Sequence, residues 1–155
     1  MAEGRELDRI DREILRRLQA DATASLAEIA EAVGLTPTPC WKRIRRLERD
    51  GVITGRVTLL DPARVGLPVS VFVAVETADH SAPWIENFAA TVTAMPEVME
   101  VWRMSGDVDY LLRVVVPDIA AYDAFYRRLI AAVPLRNVTS RFAMERVKSV
   151  TALPI

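Results

Sequence analysis

The residues best placed to do chemistry lie between Lys42 and Arg56. There the chain carries Lys42, Arg43, Arg45, Arg46, Arg49 and Arg56 against only Glu48 and Asp50. Long cationic side chains reach phosphate oxygens and the acceptor atoms of guanine. A local cluster of them is therefore an electrostatic footprint for nucleic acid. The chain as a whole conceals it, because 20 Lys and Arg offset 21 Asp and Glu to leave a formal net charge of −1. A solvated helix face would carry the same charges, so the element beneath the cluster must decide between the two.

That element reads as the last of three helices. Leu7, Ile10, Ile14, Leu15 and Leu18 recur at helical spacing up to Ala20. Ser25-Leu26-Ala27-Glu28 has the form of a capping box and opens a second short helix that Gly34 would end. Thr36 can cap a third helix with Pro37 in its first position, running to Asp50 and stopped by Gly51. Two short helices joined by a tight, Gly-containing turn make a helix-turn-helix. At about 3.6 residues per turn, Cys40, Ile44 and Leu47 face inward. Thr38, Lys42, Arg45, Arg46 and Arg49 face outward. Thr38, near the helix start, and Lys42 and Arg46, one turn apart, are expected at base edges in the major groove of double-stranded DNA. Arg49 and Arg56 are expected to hold phosphates. The β-rich alternation from Val52 to Leu60, with Gly55 at its middle, predicts a hairpin wing. Cys40, on the inward face, reads as a small core residue rather than a redox or metal group.

Asp61 to Gly66 predicts a linker, and beyond it strands alternate with helices. The expected elements are strand 67–77, helix 82–95, strand 97–105, strand 108–117, helix 118–132 and strand 136–147. This βαββαβ order is the ferredoxin-like plan. The fold class is thus α+β. A winged helix-turn-helix occupies 1–60, a linker 61–66, and a ferredoxin-like domain 67–155. The first strand sets Val69, Val71, Val73 and Val75 on one side and Phe72 and Ala74 on the other. Leu112, Val114 and Val116 likewise oppose Leu111 and Val115. Two helices cover only one face of such a sheet, so the second face is expected to meet another copy of the chain. Between the middle strands, Ser105-Gly106-Asp107 is hairpin-turn chemistry. The same loop offers carboxylates to an ammonium group and backbone N–H groups to a carboxylate.

The chain resembles the leucine-responsive and asparagine regulator (Lrp/AsnC) family from Leu7 to about Lys148. The resemblance rests on Leu7-Asp8-Arg9-Ile10-Asp11, Gly34-Leu35-Thr36-Pro37-Thr38-Pro39-Cys40, Arg43-Ile44-Arg45-Arg46-Leu47-Glu48 and Ser105-Gly106-Asp107-Val108-Asp109-Tyr110-Leu111-Leu112, in that order. It implies dimers joined through the C-terminal sheets and assembled into tetramers or octamers. It also implies a small amino acid or related metabolite bound where dimers meet. Carried onto this sequence, the effector residues are Met104, Ser105, Gly106, Asp107, Asp109 and Tyr110, with Thr139 and Ser140 as secondary candidates. The chain departs from the family pattern at Arg56, where many members have an aromatic, and at Trp102-Arg103 ahead of the loop.

Other functions fit less well. Some proteins of this architecture decarboxylate a modified tetrapyrrole, but the single His80 falls in a surface loop. The sequence has no Ser-His-Asp arrangement, metal cluster, phosphate loop or dinucleotide motif, so neither catalysis nor a cofactor is expected. An architectural DNA-binding protein without an effector would present the same helix-turn-helix and remains the alternative. The charged start Met1-Ala2-Glu3-Gly4-Arg5, a lone cysteine and apolar runs of only strand length predict a cytoplasmic protein without membrane association.

Overall fold

The first helix begins where two aspartates can close it. The Asp8 carboxylate accepts the Asp11 amide at 2.8 Å, and the Asp11 carboxylate accepts the Asp8 amide at 3.3 Å. This reciprocal cap satisfies two donors at the start of α1 (Arg9–Ala20). The computed structural model describes residues 6–155; Met1–Arg5, read above for their charge, lie outside the described residues. Ser25 and Glu28 form the expected capping box on α2 (Leu26–Ala32). Gly34, at φ +69°, turns the chain into α3 (Pro37–Arg49). Thr36 holds the N-cap position, although its hydroxyl makes no cap bond. Ile14 and Leu15 of α1, Ile29 and Ala30 of α2, and Cys40, Ile44 and Leu47 of α3 bury one another. Cys40 is fully buried, and burial pushes its thiol up, as suits a core residue.

The hairpin expected over 52–60 does not form, and the chain there carries no strand. Val52 and Ile53 instead donate to the Leu47 carbonyl, and Ile53 packs against the helical core. Gly55 lacks the positive φ that a tight hairpin turn needs. Val57, Leu59 and Leu60 are exposed, and a lone two-stranded ribbon with no face to bury is marginal.

Two compact units result. The first comprises residues up to Thr58 together with Lys148–Ile155, and the second Leu59–Val147. The final stretch therefore departs from a second domain drawn to 155. The Leu153 amide donates to Gln19 Oε1 at 2.6 Å, and Arg16 Nε donates to the Ile155 carbonyl at 2.6 Å. Ile155 packs against the helical core. These partners lie far apart in sequence, so no local pattern announces them.

In the second unit the expected linker is an ordered turn. The Asp61 carboxylate accepts the Ala63 amide at 3.0 Å, and Gly66 reverses the chain at φ +82°. The elements that follow are β1 (Val69–Glu76), α4 (Ala82–Thr93), β2 (Val98–Arg103), β3 (Tyr110–Val116), α5 (Ile119–Ala132) and β4 (Asn137–Phe142). The four strands form one antiparallel sheet in the order β2-β3-β1-β4. Val71, Val73, Val75, Leu112, Val114 and Val116 are sealed beneath Phe88 and Val92 of α4 and Phe125 and Leu129 of α5.

The opposite sheet face is less uniformly apolar than the sequence suggested. One cross-strand row sets Trp102, Leu111, Ala74 and Thr139 side by side. The next row sets Glu100, Arg113, Phe72 and Arg141 together, with Arg113 Nε 2.7 Å from Glu100 Oε1. Trp102 donates to the same carboxylate at 3.2 Å and is itself exposed. These two donors, the indole foremost, hold the Glu100 carboxyl below its usual range.

Candidate nucleic-acid interface and effector loop

The register of α3 against α1 sorts its cations. On one flank, Arg43 Nη1 lies 2.6 Å from Asp8 Oδ2 and 2.8 Å from Asp11 Oδ1, and Arg46 Nη2 lies 2.5 Å from Asp11 Oδ2. Asp11 is 1% exposed and the Arg46 side chain 22%. A carboxylate taken out of water needs such partners, and here two guanidiniums supply them. Arg46 is therefore a structural ion-pair partner and not the exposed reader that helical spacing suggested. The Asp11 amide, and then Arg43, hold the Asp8 carboxyl down at about 2. The two aspartates in turn raise the Arg43 guanidinium.

The outward face carries Thr38, Lys42, Arg45 and Arg49, all exposed. Lys42 has no ion-pair partner among the described residues. Arg45 reaches Glu48 at 3.0 Å and Arg49 reaches its neighbour Asp50 at 3.1 Å. Arg56 follows the helix and also reaches Glu48, at 3.3 Å. These last pairs are exposed and weak, so their cations are available to phosphate. Trp41, which charge reasoning passed over, stands on the same helix, 51% exposed. Its spacing from Thr38 and Arg45, three and four residues, would have placed it beside them.

The loop after β2 is divided. Met104, Ser105, Gly106 and Asp107 are exposed, with Gly106 at φ +113°, a backbone state that favours glycine. Asp109 is engaged internally: its Oδ2 accepts the Thr77 amide at 2.8 Å, and its own amide donates to the Val75 carbonyl at 3.0 Å. His80, exposed as expected, approaches Asp109 Oδ1 at 3.7 Å. Tyr110 is buried, its ring 4.5 Å from that of Phe88 and 6.1 Å from that of Trp84. Tyr110 thus packs into the core beneath α4 rather than opening onto the loop. Thr139 and Ser140 face opposite sides of the sheet. Thr139 shares the outer row with Trp102, whereas Ser140 pairs with Val73 on the core side and hydrogen-bonds the Tyr122 phenol. The secondary pair does not converge on one site.

Two family profiles cover the chain. A winged helix-turn-helix DNA-binding profile matches residues 7–54, and the Lrp/AsnC ligand binding domain profile matches residues 70–153. The chain belongs to the Lrp/AsnC family. It is a DNA-binding transcription regulator. It is 55% identical over 150 residues to the DNA-binding transcriptional activator DecR of Escherichia coli K12, spanning 96% of this chain and 99% of that one. A crystal structure of an AsnC family regulator from Agrobacterium tumefaciens superposes with a TM-score of 0.91 at 59% identity, covering 95% of this chain and 96% of the other. A regulator from Neisseria meningitidis, solved as an L-methionine complex, superposes with a TM-score of 0.90 at 32% identity, covering 96% and 97%. The Lrp/AsnC plan accounts for the helix-turn-helix followed by the βαββαβ unit. Among the described residues no helix is long and apolar enough to cross a membrane.

Proposed function

We propose that this regulator, acting in the cytoplasm, reads operator DNA with Thr38, Lys42 and Arg45 and grips phosphates with Arg49 and Arg56. The observation that carries this reading is the sorting of cations on α3. Arg43 and Arg46 are committed to Asp8 and Asp11, while Lys42, Arg45 and Arg49 share the exposed face. The protein works as a homo-oligomer, a dimer or a larger assembly. Phe72, Leu111 and Trp102 support a contact between copies through the uncovered sheet face, with the Glu100–Arg113 pair fixing register.

An amino acid or related metabolite is the effector, and the exposed stretch Met104–Asp107 is where it binds. Asp109 positions that stretch from β1 instead of meeting the ligand. The L-methionine complex of the Neisseria regulator supports an amino-acid effector. The experiment is a thermal-shift screen of common amino acids and keto acids, followed by operator titrations with any hit. A ligand at about 100 times its dissociation constant should stabilise the protein by about 2.7 kcal/mol. Asp107→Ala and Gly106→Trp should abolish the response while retaining operator binding. If effector and operator are coupled, each must alter the other's affinity by the same factor. No response to any compound at millimolar concentration would leave an architectural DNA-binding protein in its place.

A further inference from the structure

The function described above leaves Trp41 unused. A tryptophan is the largest apolar side chain, and one half-exposed among the cations of α3 offers a partner a broad apolar surface. Trp41 is 51% exposed on α3, one turn before Arg45 and three residues after Thr38. Its inner edge closes a hollow of about 250 Å³ between Leu26, Ile29, Ile44, Arg45, Glu48 and Arg56. Along α3, Trp41 lies between the buried Ile44 and Cys40 and the exposed Thr38 and Arg45. The N-terminal half of a recognition helix is the part that meets base edges, and Trp41 lies in it. Thymine presents one apolar group in the major groove, its C5-methyl, and apolar side chains are what recognise it. Thr38 has a single γ-methyl to offer that group and Lys42 and Arg45 offer polar readout, so Trp41 is the large apolar surface on this part of the helix.

We infer that Trp41 is a specificity-determining residue that packs its indole against a thymine methyl in each operator half-site. The inference rests on α3 being the base-reading helix. DNA covers the ring, so its exposure in the free protein is resolved on binding. The ring lines the same hollow as Ile29 and Ile44.

The test begins with selection of the preferred site from a randomised duplex pool by the full-length protein. Each thymine of that site is then replaced in turn by deoxyuridine, which removes only the methyl. For the wild type, one position per half-site should weaken binding by about fourfold, the factor expected for burying one methyl group. Trp41→Ala and Trp41→Gln should bind the parent site roughly tenfold more weakly and no longer distinguish thymine from deoxyuridine there. Preferences at other positions should persist. Trp41→Gln keeps an aliphatic stem at the hollow, so it remains informative if Trp41→Ala loses thermal stability. Lys42→Ala, run alongside, separates the two claims. If Lys42→Ala loses operator preference while both Trp41 variants keep the wild-type methyl sensitivity, the inference about Trp41 is wrong and the recognition helix stands. If the Lys42 and Trp41 variants all select the parent site unchanged, α3 is not the reading helix.

Discussion

The two flanks of α3 carry the same kind of side chain and do opposite things. Arg43 and Arg46 turn toward α1, where the buried Asp11 and its neighbour Asp8 hold them. Arg45 and Arg49 lie on the outward side, 65% and 75% exposed, with only solvated carboxylates near them. The difference is set by α1, not by α3. A guanidinium is structural where a buried carboxylate waits opposite it and available for a ligand where none does. Charge counting along one helix is blind to that, because the deciding residue lies more than thirty positions away.

The largest consequence falls on the pinned flank. Asp11→Ala should strand the partly buried Arg46, leave Arg43 with only the half-exposed Asp8, and destabilise the protein by about 3 kcal/mol. Thermal and urea unfolding of variant and wild type measure it. A change below about 0.5 kcal/mol would mean that water satisfies the arginines and that the flank is not pinned. Arg46→Ala removes one of the two partners and should cost about 1–2 kcal/mol, since Arg43 still neutralises Asp11. Its DNA affinity should fall by the same factor on matched and scrambled sequences.

On the open flank, loosening a carboxylate's hold on its cations has a smaller effect, and it appears in DNA binding. Glu48 draws both Arg45 and Arg56 toward itself. Glu48→Gln should free them and tighten nonspecific DNA binding by about 0.5 kcal/mol, as surface pairs allow. Fluorescence anisotropy on a random duplex across salt concentrations reads this directly. Unchanged affinity would show that phosphates already displace the carboxylate without cost.

The smallest effect is on acid stability. The folded Asp8 carboxyl sits at about 2, below its ordinary 3.8. A depressed carboxylate contributes stability that is present above the ordinary value and lost as pH falls toward the folded one. The stability gap between wild type and Asp8→Asn should therefore be constant above about pH 4 and shrink between about pH 4 and pH 2. Asp8 is half exposed, so solvent screening keeps the gap small. A gap independent of pH over that window would show that the pair does not favour the charged carboxyl.

The fold was legible wherever a signal is local. The Ser25–Glu28 capping box, Gly34 and Gly51 at helix ends, and the alternating strands each announce themselves over a few residues. The inward set Cys40, Ile44 and Leu47 followed from helical spacing, and all three are buried. What was lost depends on distant partners. Helical geometry put Arg46 near the exposed face, but Asp11 draws it to the flank. Alternation over Val52–Leu60 resembled a hairpin, but Gly55 supplies no reversal and no sheet receives the strands. The family resemblance implies an effector role for Asp109 and Tyr110, whereas Thr77 and Phe88 claim them from other elements. Trp41 was passed over because attention to charge ignores an apolar residue among cations.

The central claim is that the outward face of α3 reads DNA while its inner flank only holds the fold. Lys42→Ala and Arg46→Ala measured side by side test it most directly, by operator and scrambled-duplex titration together with thermal unfolding. Lys42→Ala should lose roughly 1–3 kcal/mol of affinity for the operator with little loss on the scrambled duplex and an unchanged melting temperature. Arg46→Ala should lower the melting temperature and leave the ratio of operator to scrambled affinity intact. If instead Lys42→Ala binds the operator like wild type and Arg46→Ala erases the preference at an unchanged melting temperature, the reading flank has been assigned to the wrong side of the helix.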